Sequence, residues 1–118
     1  MKAEELRIGN ILLCNGFEVE IDCIQKNMLA KVGENFYTPI DQFEAIPLTE
    51  EILLRTDLQS EEDGFWDKEG IINFQIKLNE CEVYYNGELL TFCYSFHELQ
   101  NLFYALTGTE LTINENTL

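Results

Sequence analysis

The chain has 118 residues, 46% of them apolar, and a formal charge of −15 from 22 acidic side chains against seven basic ones. That length predicts a single domain over residues 1–118, since two would each be too small to bury a core. The charge repels nucleic acid and anionic membrane and attracts basic surfaces, which excludes direct nucleic-acid and membrane-surface binding. No run of about 18 apolar residues could cross a bilayer, and Met1-Lys2-Ala3-Glu4-Glu5 lacks the basic-then-apolar order of a signal peptide, so the expectation is a cytoplasmic protein.

In chain order, Arg7 to Asn15 and Phe17 to Gln25 read as a hairpin turning at Asn15-Gly16, a dipeptide that accepts the positive φ angles of a two-residue turn. Phe17, Val19, Ile21 and Cys23 alternate with Glu18, Glu20 and Asp22. Across the turn the apolar set faces Cys14, Leu12, Asn10 and Ile8, so pattern and register agree. Met28 to Val32 and Asn35 to Thr38 read as two shorter strands joined at Gly33-Glu34, which together predict a small, strongly bent, SH3-like antiparallel sheet. Pro39 to Pro47 is a connector pinned by Ile40, Phe43 and Ile46. Thr49 N-caps a short helix with Glu50 and Glu51 in its first turn, where the macrodipole favours acids, and Ile52, Leu53 and Leu54 form its buried side. Asp57 to Gly64 breaks the periodicity and reads as a mobile acidic loop.

Strand patterns return at Phe65 to Lys68, Ile71 to Leu78, Cys81 to Asn86 and Glu88 to Tyr94, with turns at Glu69-Gly70, Asn79-Glu80 and Asn86-Gly87. Two-residue turns place Phe74 opposite Tyr85, Ile76 opposite Val83 and Leu78 opposite Cys81, with Leu90 continuing the row opposite Val83. One face of this meander is continuously apolar and calls for a cover. The segment from Ser95 to Gly108 supplies a helix: Ser95 and Glu98 match a capping box, Phe96, Leu99, Leu102, Phe103 and Leu106 form one stripe, and Gly108 stops it. Leu111-Thr112-Ile113 predicts a short edge strand and Asn114 to Leu118 a frayed end. The fold class is α+β: the bent N-terminal sheet, a short helix, and a second antiparallel meander covered by a C-terminal helix.

The four cysteines, Cys14, Cys23, Cys81 and Cys93, form no CxxC pair and no zinc-site spacing. Cys14 lies beside the first turn and Cys23 about 20 Å along the second strand, too far to bridge. Uninterrupted two-residue-turn register sets Cys81 opposite Phe92 and Cys93 opposite Glu80, with the thiols on opposite faces. Reduced thiols are expected, with a bond between the two hairpins left open.

Chemistry is sparse. His97 is the one histidine and sits in the first turn of the C-terminal helix, where the dipole disfavours its charge, so it is assigned a contact role and no catalytic one. Carboxylates are too abundant to single out an acid–base pair, and Glu61, Glu62, Asp63 and Asp67 lack the alternating ligands and glycine of an EF-hand loop. No GxGxxG or P-loop pattern occurs, so the chain predicts no catalytic residue, metal or cofactor, and no enzyme. Trp66 stands out, since it lies beside six acids, and strand alternation turns it outward if Phe65 faces the core. An aromatic ringed by charge has the character of an interface anchor, which makes Glu61, Glu62, Asp63, Trp66 and Asp67 the candidate partner-binding set.

Three blocks in this order, Glu5-Leu6-Arg7-Ile8-Gly9-Asn10, Ile46-Pro47-Leu48-Thr49-Glu50-Glu51-Ile52-Leu53-Leu54 and His97 to Gly108, resemble small proteins of prophages and mobile elements of Bacteroidota that carry no defining catalytic motif. The resemblance implies a mobile-element context and raises the odds of a host-interaction role. With the charge, it leads to an accessory protein that binds a host or phage protein with a basic surface, one form of which is an acidic inhibitor of a nucleic-acid-binding or defence protein. The alternative is a protein that sequesters a nucleotide or metabolite between its sheets or at an oligomer interface. Against that, Arg7, Lys26, Lys31, Arg55, Lys68 and Lys77 are dispersed along the chain.

Overall fold

In the computed structural model, which describes residues 1–78 and 80–114, Asn15 and Gly16 take φ angles of 54° and 81° and close the first hairpin. β1 (Ile11–Cys14) pairs with β2 (Phe17–Gln25) in the expected register, Cys14 opposite Phe17 and Leu12 opposite Val19. The first strand is shorter than its apolar pattern. Arg7 to Asn10 forms a turn in which Asn10 Oδ1 accepts from Arg7 N at 2.7 Å and Asn10 N donates to Arg7 O at 3.0 Å. β3 (Met28–Lys31) and β4 (Thr38–Pro39) follow, and Asn35 to Tyr37 lie outside the strand predicted there.

The connector after Pro39 is more ordered than its sequence suggests. A 3₁₀ turn at Ile40–Gln42 leads into β5 (Phe43–Glu44), which pairs with β1 and completes a five-stranded sheet in the order β4-β3-β2-β1-β5. The register of β2 on β3 shifts between Ile21 and Cys23, an irregularity of the kind that bends a strand. Leu12, Cys14, Ile21, Leu29 and Phe43 form the buried cluster of this sheet. Phe17, assigned to the same row by alternation, is 73% exposed beside the turn.

The second sheet has the order β10-β9-β8-β7-β6, from β6 (Gln59–Glu61), β7 (Gly64–Trp66), β8 (Ile72–Lys77), β9 (Glu80–Tyr85) and β10 (Glu88–Cys93). The acidic segment expected as a mobile loop is a hairpin, Ser60 opposite Phe65 and Glu61 opposite Gly64, since these backbone groups have a ladder partner within reach. The β8–β9 ladder closes at Lys77 opposite Glu80, so Phe74 faces Val83 and Ile76 faces Cys81, two residues from the predicted register. A shift of two returns every side chain to its own face, so the apolar face survives. Leu78, assigned to the strand, is 89% exposed in the turn, and Glu80, assigned to the turn with Asn79, begins β9; Asn79 lies outside the described residues.

α1 (Glu50–Leu54) is N-capped as expected, Thr49 Oγ1 accepting from Ile52 N at 3.3 Å, with Ile52 and Leu53 buried. Leu54 instead points to solvent at 60% exposure. Leu111 and Ile113 are buried without forming the predicted edge strand, and Asn114 N donates to Arg55 O at 2.6 Å. The rest of the end predicted to fray lies outside the described residues.

α2 (Phe96–Thr107) ends as predicted: Gly108, at φ 74°, donates its N–H to Tyr104 O at 2.8 Å. Phe96, Leu99 and Phe103 of its stripe are buried. By contacts the chain divides into two compact units, Met1–Ile46 with Phe96–Glu110 and Pro47–Ser95 with Leu111–Leu118. The helix that the apolar pattern assigned as cover to the meander thus belongs to the unit of the first sheet. The sequence stripe missed its polar anchor. Gln100, fully buried, accepts from Ile11 N at 2.8 Å and donates to Gly9 O at 3.2 Å.

Candidate functional site

The β6–β7 hairpin turns at Glu62-Asp63, and the next residue is Gly64 at φ 116°. A Cβ at Gly64 would stand 2.6 Å from the Phe74 carbonyl oxygen, so only glycine lets β7 approach β8 this closely. This approach sets the position of Trp66, which pairs with Asn73 on β8 and Gln59 on β6. The indole N–H donates to Asp63 Oδ1 at 2.8 Å, while Asn73 Nδ2 donates to Asp63 O at 3.0 Å and Phe65 O at 3.3 Å. Gln75 Nε2 in turn donates to Asn73 Oδ1 at 2.7 Å. The acidic turn is therefore tied to the sheet by its backbone and one carboxylate, leaving Glu61 and Glu62 exposed.

Gln59, Glu61, Glu62, Asp63, Trp66 and Gly70 line an open groove of about 740 Å³. Four of the five predicted partner-binding residues thus share one surface. Asp67 departs from them. It is 3% exposed, and its Oδ1 accepts from Ile71 N and Ile72 N, each at 2.8 Å, so it holds the β7–β8 turn instead of meeting a partner. His97 is also 3% exposed, at the start of α2 in the other unit, which removes it from surface contact. Burial holds its imidazole below the ordinary histidine range, against the opposing carboxylates of Glu98 and Glu5.

The groove continues into a wider face. Residues paired across the sheet form the row Gln59, Trp66, Asn73, Tyr84 and Leu89, on the side opposite the buried Phe74, Val83 and Cys81. A neighbouring row carries Gln75, Glu82 and Phe92. Tyr84 Oη donates to Glu82 Oε1 at 2.9 Å, and this bond raises the phenol's pKa; Lys77 Nζ stands 3.9 Å from the same carboxylate oxygen. Leu89 and Phe92 are 49% and 40% exposed, apolar area left in water on this face. Sequence reasoning found Trp66 through its acidic neighbours but missed Tyr84 and Leu89, which alternation and the two-residue turn already put on this face, and Phe92, whose face depends on the register shift after Leu89. The available signal was the alternation of Cys81, Val83 and Tyr85 with Glu82 and Tyr84.

Among the described residues no group of three or more His, Cys, Asp or Glu side chains could hold a metal ion, and no helix is long and apolar enough to cross a membrane. Comparison with protein-family models, with curated proteins and with solved structures gives no significant match.

Proposed function

We propose that this chain works as a non-enzymatic accessory protein of a phage or mobile element, binding a host or phage protein that presents a basic surface. Inhibition of a nucleic-acid-binding or defence protein is the form of this activity that a net charge of −15 fits best. The observation that carries the reading is the groove around Trp66. An indole oriented by Asp63 stands among Glu61 and Glu62, and Tyr84, Leu89 and Phe92 extend the same face. Carboxylates beside aromatic faces suit lysine and arginine side chains, which gain from both ion pairing and cation–π contact, while exposed apolar area supplies the desolvated centre of an interface. Sequestration of a nucleotide gains no such support. A second groove, of about 410 Å³, sets Lys77 against Glu50, Glu61, Glu62 and Asp63, an excess of like charge for any phosphate.

The test is a pull-down from infected and uninfected host lysate at low and high salt, wild type against a variant with Trp66→Ala, Glu61→Gln, Glu62→Gln and Asp63→Asn. A stoichiometric basic partner that salt releases and the variant loses, with circular dichroism unchanged, supports the reading. Undiminished binding by the folded variant would sink the site assignment. Because Trp66 is the one tryptophan, quenching or shift of its emission on titration with the captured partner reports contact at the groove directly.

A further inference from the structure

β9 and β10 set two thiols directly across from one another. Cys93 is the register partner of Cys81, and the two side chains are 4% and 0% exposed on the inward face of the sheet. The uninterrupted register read from the sequence placed them on opposite faces. The ladder shifts between Leu89 and Thr91, leaving Leu90 as the extra residue of a β-bulge, and every residue after it changes face. Opposed residues of an antiparallel pair have Cα atoms about 4.5–5.5 Å apart, inside the span of roughly 4.4–6.8 Å that a disulfide bridges. Opposed Cβ atoms stand about 4.5–5.5 Å apart and a disulfide holds them at about 3.5–4.5 Å, so bond formation asks for side-chain rotation and a small closing of the two strands. All four cysteines are in the thiol form in the structure, none of them in a disulfide. Burial, reinforced by the neighbouring Cys93, pushes the Cys81 thiol up to about 12, so in the closed core Cys81 stays protonated.

We infer that Cys81 and Cys93 are an oxidisable dithiol, a site that closes into an intrachain disulfide when the protein meets a peroxide. Cys93 lies on β10, the edge strand of its sheet, and fraying of that edge brings it to the oxidant first. The Cys93 thiolate attacks one oxygen of hydrogen peroxide; the O–O bond breaks and hydroxide leaves, taking up a proton as water, so that Cys93 becomes a sulfenic acid. The Cys81 sulfur then attacks the Cys93 sulfur. The S–S bond forms, the S–O bond breaks, and hydroxide leaves with the Cys81 proton as a second water, so two thiols are oxidised and one peroxide is reduced. The bond staples the edge strand to its neighbour and is undone by a dithiol reductant.

The experiment treats the folded, reduced chain with hydrogen peroxide, alkylates what remains and measures intact mass. Two of the four thiols are lost and the bridged protein is about 2 Da lighter than the reduced one before alkylation. Cleavage after Glu88 then leaves the Cys81 and Cys93 fragments joined until dithiothreitol separates them. A Cys14→Ser, Cys23→Ser double variant responds identically, and the oxidised protein melts at a higher temperature than the reduced one. The same treatment in denaturant loses the preference for this pair. The inference is overturned if Cys81 and Cys93 both remain alkylatable, if either pairs instead with Cys14, Cys23 or a second chain, or if Cys93 proceeds to the sulfinic acid while Cys81 stays free.

Discussion

Gln100 is a fully buried polar side chain of the first unit, and the cost of its removal follows from the bonds it makes. Fully buried on α2, it accepts from Ile11 N at 2.8 Å and donates to Gly9 O at 3.2 Å, with a longer contact of 3.4 Å from Asn10 Nδ2. Truncation to alanine strands one backbone donor and one backbone acceptor. At about 1–3 kcal/mol for each group left unpaired, and with a cavity term for the lost side-chain atoms, Gln100→Ala should cost roughly 3–5 kcal/mol. Gln100→Leu keeps most of the volume and isolates the hydrogen-bond part, about 2–4 kcal/mol. Either loss is a large share of the 5–15 kcal/mol that stabilises a typical domain, roughly speaking. The assay is urea unfolding followed by far-ultraviolet circular dichroism, with the midpoint falling and the slope unchanged. If Gln100→Leu unfolds within about 0.5 kcal/mol of wild type, the claim that these bonds fix α2 to the start of β1 is wrong.

Asp67→Ala removes an acceptor shared by two backbone N–H groups and should destabilise by about 2–4 kcal/mol in the same assay, whereas a surface acid such as Glu62→Ala should change it by under about 0.5 kcal/mol. Gly64→Ala sets a Cβ against the Phe74 carbonyl and should cost roughly 3 kcal/mol or more; Gly16→Ala, with open space around it but φ at 81°, should cost only about 1 kcal/mol. Because burial lowers the His97 pKa, the unfolded chain binds this proton at higher pH than the folded one does. Its contribution is fully present above the ordinary histidine value of about 6.5 and is lost as pH falls from there through the folded pKa. Urea midpoints measured from pH 7.5 downward should therefore fall in wild type and flatten in His97→Gln until carboxylates begin to titrate.

Local rules carried the reading wherever two or four residues decide the structure. Asn15-Gly16 and Asn86-Gly87 form turns with both residues at positive φ, Thr49 caps α1, and Gly108 ends α2. The hydrophobic pattern overran the strands where a side chain captured the backbone first, as Asn10 does for Arg7. It also could not see partners distant in sequence. β5 is two residues long and exists because β1 offers an open edge, and β6 is polar throughout but paired by β7. Of the candidate site, the acidic hairpin and Trp66 were legible because charge and aromaticity stand out in any register. Asp67 looked like their companion because a carboxylate that caps a turn and one that faces solvent are the same letter.

The bulge at Leu90 explains why the outer face of the second sheet was only half visible. Without it, two-residue-turn arithmetic sets Leu90 opposite Val83 and Phe92 opposite Cys81, both in the core row. With it, Thr91 and Cys93 take those places and Phe92 crosses to the side of Trp66. Leaving Phe92 and Leu90 at 40% and 49% exposure forgoes roughly 1 kcal/mol each of the burial they could have had. Cys81 is fully buried, and a phenyl ring in the place of the small Cys93 would have to enlarge that part of the core; over-packing costs about 1–3 kcal/mol. The two terms are of one size, so the core can accept the bulge at little net loss. What the bulge adds lies outside the core. It adds the phenyl ring of Phe92 to the outer face that carries Trp66, and it brings two thiols into register that an unbroken hairpin would have kept on opposite sides.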